Sequence, residues 1–222
     1  MSDLGPNELL LGFLYYMVFL FSTTCHEAAH ALIAKRGGDS TAEIGGQVSL
    51  NPIPHIMRSP FGMVVMPLVG FFFLGRSMIG WASAPYDPLW ERRYPKRAAW
   101  MALAGPAANF SLMLLAAIAL RTGTTLGFFQ NHSDNSTVTL ISTVLMITFL
   151  LNLLLGIFNL LPVPPLDGST AIMLFMSESG AQKYLDWLRG NTFALAGILV
   201  GMLIFRQIFP IIRAFAIHLL LY

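Results

Sequence analysis

Four long apolar stretches constrain this chain more than any other feature of its sequence. They are residues 9–34, 98–120, 138–161 and 192–209. Each is close to or above the roughly 20 residues that a helix needs to cross about 30 Å of hydrocarbon. Only 11% of the residues are charged, against about 25% in a typical soluble domain. The sequence therefore predicts an all-α polytopic membrane protein embedded in a lipid bilayer.

The segments between these stretches are shorter and more polar. Residues 39–60 contain glycine and proline breakers, and the alternation in "GGQVSLN" predicts a strand or hairpin at the membrane edge. Residues 61–80 are apolar but interrupted, which leaves open whether they span or re-enter. Residues 169–188 are expected to form an interfacial helix carrying Tyr184 and Trp187.

The composition also bounds the domain organisation and the partners. No polar stretch is long enough to fold as a separate soluble domain, so we expect residues 1–222 to form one domain. The net charge of +2 is too small to indicate a nucleic-acid partner. The single cysteine, Cys25, excludes an internal disulfide framework and a cysteine-based zinc finger.

The first apolar stretch contains "HEAAH", residues 26–30. Titratable groups at membrane depth cost several kcal/mol, so they usually mark a functional site. On a helix, His26 and His30 share one face and could both bind one cation. Zinc suits two neutral imidazoles, an oxygen ligand and a water, whose pKa falls to about 7 so that Glu27 could take its proton. The alternative is a pair of core histidines hydrogen-bonded to their neighbours.

A third ligand is needed, and the stretch "NLLPVPPLDGS", residues 159–169, offers Asp167. Its three prolines block a regular helix, while Gly168 frees the turn after the aspartate. Irregular backbone at membrane depth is tolerated only where it lines protein or a wet cavity. The alternative is a helix stop at the membrane surface, with Asp167 capping the next helix.

The two motifs together resemble the site-2 protease family of intramembrane metalloproteases. In this chain they are "HEAAH" and a late Asn-x-x-Pro-x-Pro-x-Leu-Asp-Gly. The stretches "GGQVSLNPIPH", "GWASAPYDP" and "AGPAANFSLML" resemble segments of the compact members, so the resemblance covers most of the chain. It implies a zinc-dependent endopeptidase that cuts in or near transmembrane segments of single-span membrane proteins. It also implies the minimal form, without PDZ or CBS domains.

The resemblance assigns roles to five residues. It implies one zinc ion per chain, held by His26, His30 and Asp167, with Glu27 as the general base. Asn159 matches the family asparagine that steadies the substrate carbonyl or oxyanion. An alternative for Asn159 is helix–helix hydrogen bonding.

Three other features receive structural interpretations. His55 lies in a Leu-Asn-Pro-x-x-His pattern, but Met57 stands where the compact members carry aspartate. A structural or gating role is therefore expected for His55, not a ligand role. Cys25 is expected to be a small core residue, and residues 105–109 fit the family core through close helix packing.

The position of the motifs predicts the topology. His26 and His30 lie in the last third of the first span and Asp167 follows the third, so these two spans must point the same way to share one ion. With 98–120 crossing between them, residues 36–97 must begin and end on one side, so residues 61–80 are expected to form a re-entrant segment or a hairpin. Basic residues mark the cytosolic side. This arrangement therefore predicts a site in the cytosolic half of the bilayer, and the resemblance to the compact members implies a prokaryotic inner membrane. Of the 13 basic residues, it places these on one side: Lys35, Arg36, Arg58, Arg76, Arg92, Arg93, Lys96, Arg97, Lys183 and Arg189.

Two rival functions follow from the same residues. A metal-binding membrane protein without catalysis, either a pseudo-protease or a transporter, would keep the ligands but not need Glu27. A di-iron oxidase would use the Glu-x-x-His pair within "EAAH". Because such sites need a second Glu-x-x-His pair and further carboxylates, we set the oxidase aside. The substrate and the oligomeric state stay open.

Overall fold

The computed structural model describes residues 5–74, 78–132, 134–190 and 194–221, and these ranges are mostly helical, with no strand. Arg76 and the first two residues of the fourth predicted span lie outside the described residues. In chain order the helices are α1 (Pro6–Arg36), α2 (Thr41–Ile44), α3 (Pro52–Arg58), a π-helix (Phe61–Val65), α4 (Met66–Phe73), α5 (Pro88–Arg93), α6 (Pro95–Thr125), α7 (Phe128–Asn131), α8 (Ser136–Asn159), α9 (Asp167–Ala171), a 3₁₀ helix (Ile172–Phe175), α10 (Glu178–Gly190) and α11 (Ala194–Leu221).

Four helices are long and apolar enough to cross a membrane, namely α1, α6, α8 and residues 196–220 of α11. They confirm the prediction of an all-α polytopic membrane protein. The helices α1 and α6 begin earlier than the apolar stretches because Pro6 and Pro95 occupy their first turns, where the missing N–H costs nothing. The side chain of Asn135 starts α8 by accepting a hydrogen bond from the Thr137 amide at 2.9 Å.

Helix α6 lies at the centre of the bundle, in contact with both α1 and α8. Small side chains allow this close approach: Ala31 and Ala34 of α1 and Ala98 and Ala102 of α6 are at most 2% exposed. Helix α11 lies at the edge. Only 6% of its most apolar window is buried, against 39% for α1, so its surface is available to lipid.

The apolar segment between α1 and α6 is broken. Helix α3 and the helical stretch from Phe61 to Phe73 form an angle of 108°. One straight membrane-crossing helix is therefore not formed here, which agrees with the interruption expected from the sequence.

The strand predicted within "GGQVSLN" is wrong for the described structure. Residues 45–51 form turns and bends after α2. Local hydrogen bonds decide this: the Asp39 carboxylate accepts from the Thr41 amide at 3.0 Å and from its hydroxyl at 2.5 Å. Gly46 then turns the chain with φ +72°, and Asn51 caps α3 by accepting from the Ile53 amide at 3.0 Å. The alternation of polar and apolar residues is not enough to form a strand here, because the described structure has no neighbouring strand for it to pair with.

The interfacial helix predicted for residues 169–188 is divided into three pieces: α9, the 3₁₀ helix and α10. The divided segment still has an amphipathic part. Ala181 and Leu185 of α10 are at most 2% exposed, and they pack in one cluster with residues at the start of α6. Trp187 is 58% exposed on the other face.

Lys96 fastens the start of α6 to this segment. Its Nζ donates to three backbone carbonyls at the end of the 3₁₀ helix, a cationic cap of that helix terminus. The acceptors are Met173, Leu174 and Met176. The contact holds the stretch that follows Asp167 against the central helix.

Candidate metal centre

His26 and His30 lie one turn apart on α1, inside the bundle. Their exposed fractions are 7% and 8%, and their ring centroids are 4.6 Å apart with the planes at 82°. The two Nε2 atoms are 2.9 Å apart. The helical spacing therefore brings one nitrogen of each ring to the same point, as predicted.

Asp167 reaches this point from the proline-rich connection that follows α8. The prolines end regular structure after α8, and Asp167 is the first residue of α9. Its Oδ2 lies 3.1 Å from His26 Nε2 and 3.4 Å from His30 Nε2. Asp167 forms no helix-capping hydrogen bond within the described ranges, so the alternative of a simple cap is not the arrangement that the structure has.

The far nitrogen of each ring has its own partner on α6. His26 Nδ1 lies 2.6 Å from Asn109 Oδ1, and His30 Nδ1 lies 2.7 Å from the Met101 carbonyl oxygen. A carbonyl oxygen only accepts hydrogen bonds, so His30 Nδ1 carries a proton. In the neutral ring, His30 Nε2 then presents a lone pair. The neighbouring His26 Nε2 and the buried Asp167 Oδ2, which makes no hydrogen bond, face the same point.

Three electron-rich atoms that converge in this way fit a cation. With zinc bonds of about 2.0–2.1 Å, two ligand atoms of a tetrahedral site are about 3.3 Å apart. The three measured separations, 2.9, 3.1 and 3.4 Å, are close to that value. Two imidazoles and one carboxylate leave the fourth position of a tetrahedral zinc site for water or substrate.

Gly105 of α6 provides the room for an ion. A Cβ atom at this residue would lie 2.4 Å from the Nε2 atoms of both His26 and His30. Any side chain here would fill the place where an ion would bind. The glycine thus belongs to the cradle of the site as well as to the helix packing that the sequence suggested.

Glu27 is buried beside the histidines, with 6% of its surface exposed. It makes no hydrogen bond or ion pair with any other residue in the described ranges. A buried carboxylate without a hydrogen-bond partner is costly, and its oxygens stay available to accept a hydrogen bond. Its position next to His26 suits a general base that does not ligate the ion.

Two further residues of interest have other partners. Asn159 is the last residue of α8, and its Nδ2 donates to the Leu155 carbonyl at 3.0 Å. His55 is 1% exposed, and its Nε2 lies 2.9 Å from the Ser49 carbonyl oxygen. His55 thus holds the turn before α3, and the metal cluster contains only His26, His30 and Asp167 among the described residues.

The sequence interpretation missed Asn109, which hydrogen-bonds His26, and Asn152, which hydrogen-bonds Asn109. Asn109 was explained by close packing alone, and Asn152 was not singled out. Both are 0% exposed. The signal was available in the sequence, because an asparagine within a membrane-spanning stretch needs a hydrogen-bond partner.

Comparisons with known proteins match the chain to zinc metalloproteases. The model of peptidase family M50 matches residues 14–205. The chain is 33% identical over 174 residues to "Putative zinc metalloprotease YwhC" of Bacillus subtilis, covering 70% of each protein. It is 30% identical over 154 residues to "Putative zinc metalloprotease Rip2" of Mycobacterium tuberculosis, covering 69% of this chain but only 54% of that relative.

No solved structure shows a significant match to the chain. The family match covers most of the sequence, from α1 into α11, and includes every residue of the metal cluster. The convergent histidines and aspartate, the buried glutamate beside them and this match lead to one conclusion. The chain is a zinc metallopeptidase of the membrane and belongs to peptidase family M50, the site-2 protease family.

Proposed function

We propose that this protein is an intramembrane endopeptidase that hydrolyses peptide bonds in or near the transmembrane segments of other membrane proteins. One observation carries the proposal: Asp167 lies within 3.4 Å of the Nε2 atoms of both histidines. These three side chains come from two membrane-associated segments far apart in sequence. Their convergence inside a bundle of apolar helices supports a hydrolytic centre within the bilayer.

In this proposal His26, His30 and Asp167 hold the zinc ion. Bound zinc supplies a Lewis acid that polarises a substrate carbonyl and lowers the pKa of water to about 7. Glu27 takes the proton of the attacking water and hands it to the leaving amine. The absence of any competing hydrogen bond to Glu27 within the described ranges supports this role.

Asn159 is proposed to donate a hydrogen bond from its side-chain amide to the substrate carbonyl oxygen. The Nδ2 group now donates to Leu155 O at 3.0 Å, and it would exchange that backbone carbonyl for the substrate. Loss of one such donor typically lowers kcat about 10²–10³-fold. Asn159→Asp keeps the size but removes the donor, so kcat should fall while KM changes little.

The substrate must reach a nearly enclosed site. His26, Glu27 and His30 are 6–8% exposed, whereas the Asp167 side chain is 21% exposed. The site is therefore most open on the side of the carboxylate. Because a transmembrane helix keeps its amides in i to i−4 hydrogen bonds, the scissile segment has to unwind locally before it enters. A single-span protein, whose helix is not held in a bundle, meets this requirement most easily.

The proposed orientation puts the site in the cytosolic half of a prokaryotic inner membrane. Lys35 and Arg36 lie in the last turn of α1, five and six residues beyond His30, and the basic group of α5 and early α6 packs near them. In particular, Arg97 donates to the Gly37 carbonyl at 2.9 Å. This concentration of positive charge supports a cytosolic location. Cys25→Ser removes the one cysteine of the chain. In that background, Arg36→Cys should react with impermeant thiol reagents only from the cytosol.

The decisive experiment compares the wild type with Glu27→Gln, each purified with its zinc and mixed with single-span membrane proteins in detergent or vesicles. The wild type should cut within or beside the span. Glu27→Gln should bind about one zinc per chain and cut at least 10²-fold more slowly, the lower range for loss of a general base. Full cleavage by Glu27→Gln would overturn the assignment of Glu27. Zinc binding without cleavage by either protein would favour a non-catalytic metal-binding role.

A further inference from the structure

A chain of buried hydrogen bonds runs from the metal centre across the bundle. Asn109 Oδ1 lies 2.6 Å from His26 Nδ1, and Asn109 Nδ2 donates to Asn152 Oδ1 at 2.8 Å. Asn152 Nδ2 in turn donates to Ser22 Oγ and to the Thr148 carbonyl, both at 2.9 Å. These hydrogen bonds join α1 to α6, α6 to α8, and α8 back to α1.

These amides lie deep in the bundle. Asn109, Asn152 and Ser22 are each 0% exposed. Polar side chains in membrane-spanning helices are costly unless they pair. Three of them in one connected chain that ends on a metal-cluster histidine are more than helix packing needs, since small apolar residues pack as closely.

The polarity of the chain is fixed at its far end. The Thr148 carbonyl oxygen can only accept, so the Asn152 group that faces it must be the NH₂. Asn152 then presents its oxygen to Asn109, and Asn109 must offer its own NH₂ to that oxygen. The Asn109 oxygen is left for His26 Nδ1, which must be the protonated nitrogen. Each amide has only one orientation that satisfies all its neighbours.

We propose that Asn152 is a positioning residue that, through Asn109, locks the proton of His26 on Nδ1 and so keeps Nε2 free to bind zinc. The inference rests on the proposed ligand set. For His30 the same lock is made directly by the Met101 carbonyl at 2.7 Å. His26 has no backbone carbonyl partner at Nδ1. Instead, the Thr148 carbonyl on α8 fixes the orientation of the Asn152 amide, which fixes that of Asn109 and so places the proton of His26 on Nδ1.

Ser22 has a different role in this hydrogen-bond network, although it also contacts Asn152. A hydroxyl both donates and accepts, so Ser22 adapts to either orientation of the amide and fixes neither. The two contacts of Asn152 Nδ2, with Ser22 and with the Thr148 carbonyl, are both 2.9 Å long, but only the second fixes the orientation of the amide. Losing Ser22 leaves the lock intact, whereas losing Asn152 removes it.

The experiment measures zinc affinity by chelator competition on purified full-length protein in detergent, so it does not depend on activity. Asn152→Leu should weaken zinc binding about 10–100-fold, the range found when an outer partner of a ligating histidine is lost. Ser22→Ala should change the affinity by less than about threefold. Leu153→Ala, a change at the neighbouring buried residue of α8, is the control for loss of packing, and it should leave the affinity unchanged.

A double substitution gives the sharpest comparison. Both oxygens of a carboxylate only accept, so in Asn109→Asp the His26 proton stays on Nδ1 whatever occupies position 152. Asn152→Leu also removes the oxygen that would face the new carboxylate, so adding it to Asn109→Asp should not weaken zinc binding, a coupling expected only for residues in one network. A purely structural role of Asn152 would give the same loss in both backgrounds, and that result would overturn the proposal.

Two further comparisons distinguish failure of the lock from misfolding and from failure of the zinc site itself. If Asn152→Leu does not fold, Asn109→Leu and Asn109→Asp decide: the first should lose zinc affinity and the second should keep it, and equal affinities would overturn the proposal. His26→Ala tests the ligand set itself. Wild-type zinc affinity in His26→Ala would refute the proposed zinc site, whereas loss in His26→Ala with no loss in Asn152→Leu would refute only the lock.

Discussion

Replacing Gly105 with alanine places a methyl group between the two histidine rings. The Cβ atom would lie 2.4 Å from both Nε2 atoms and 2.6 Å from His26 Cε1. Ordinary carbon contacts begin near 3.5 Å, so each ring nitrogen would have to retreat by about 1 Å. Because α6 backbone and both rings are buried, the retreat has little room.

A shift of that size is several times the tolerance of a zinc site, whose bonds keep within about 0.2 Å of their usual lengths. We therefore expect Gly105→Ala to lose zinc affinity by more than the roughly 100-fold upper range for an outer-partner substitution. The overpacking should also destabilise the fold by about 1–3 kcal/mol. The first effect concerns the ion and the second the bundle, so they are measured separately.

Zinc content per chain, determined after dialysis against a graded chelator, reports the first effect. Thermal unfolding followed by circular dichroism reports the second. Gly201→Ala on α11 is the matched control, since its Cβ would meet only the ends of the Leu166 and Leu161 side chains, at 3.3 and 3.9 Å. A folded Gly105→Ala protein that binds one zinc with wild-type affinity would refute the placement of the ion between these rings.

Three further changes test other parts of the structure. Asp167→Asn keeps the size of the side chain but removes the charge, so zinc affinity should fall at least tenfold with little change in helical content; retention of full affinity would contradict the proposed ligand. Lys96→Met removes a charged donor from three carbonyls and should lower stability by about 1–3 kcal/mol, measured by thermal unfolding, with Lys183→Met at an exposed position of α10 as the control. Burial alone would raise the pKa of Asp39, but hydrogen bonds from the Thr41 side chain and from the Asp87 and Thr41 amides hold it below its usual value. The stability that Asp39 adds is therefore present above its unfolded pKa of about 3.9 and is lost as the pH falls below it. The difference in melting temperature between the wild type and Asp39→Asn should accordingly be largest near neutral pH and shrink below pH 4, and a constant difference would contradict the linkage.

The membrane-spanning helices and the histidine pair could be predicted because both depend on local sequence. An apolar stretch of sufficient length has few alternatives to a spanning helix, and the spacing of His26 and His30 places both rings on one face. The role of Asp167 needed more. Its surrounding prolines fitted either a ligand or a helix end, and the family resemblance favoured the ligand before the fold brought the carboxylate to the rings.

Contacts between distant segments could not be predicted in the same way. The pairing of Asn109 with His26 and with Asn152 depends on how α6 rotates against its neighbours, which no single stretch encodes. The alternation at residues 45–51 was misleading for a related reason. A strand needs a partner, whereas the carboxylate of Asp39 and the cap by Asn51 stabilise short helices without one.

The division of the metal cluster between two segments has a thermodynamic consequence. His26 and His30 are fixed to α1, but Asp167 sits at the junction between an irregular proline-rich connection and the short helix α9. An ion bound by all three would act as a removable cross-link that holds this connection against the bundle. At a free zinc concentration 100 times the dissociation constant, the docked arrangement gains about 2.7 kcal/mol over any arrangement that cannot bind the ion. Metal supply would then set how firmly this connection is held, before any substrate arrives.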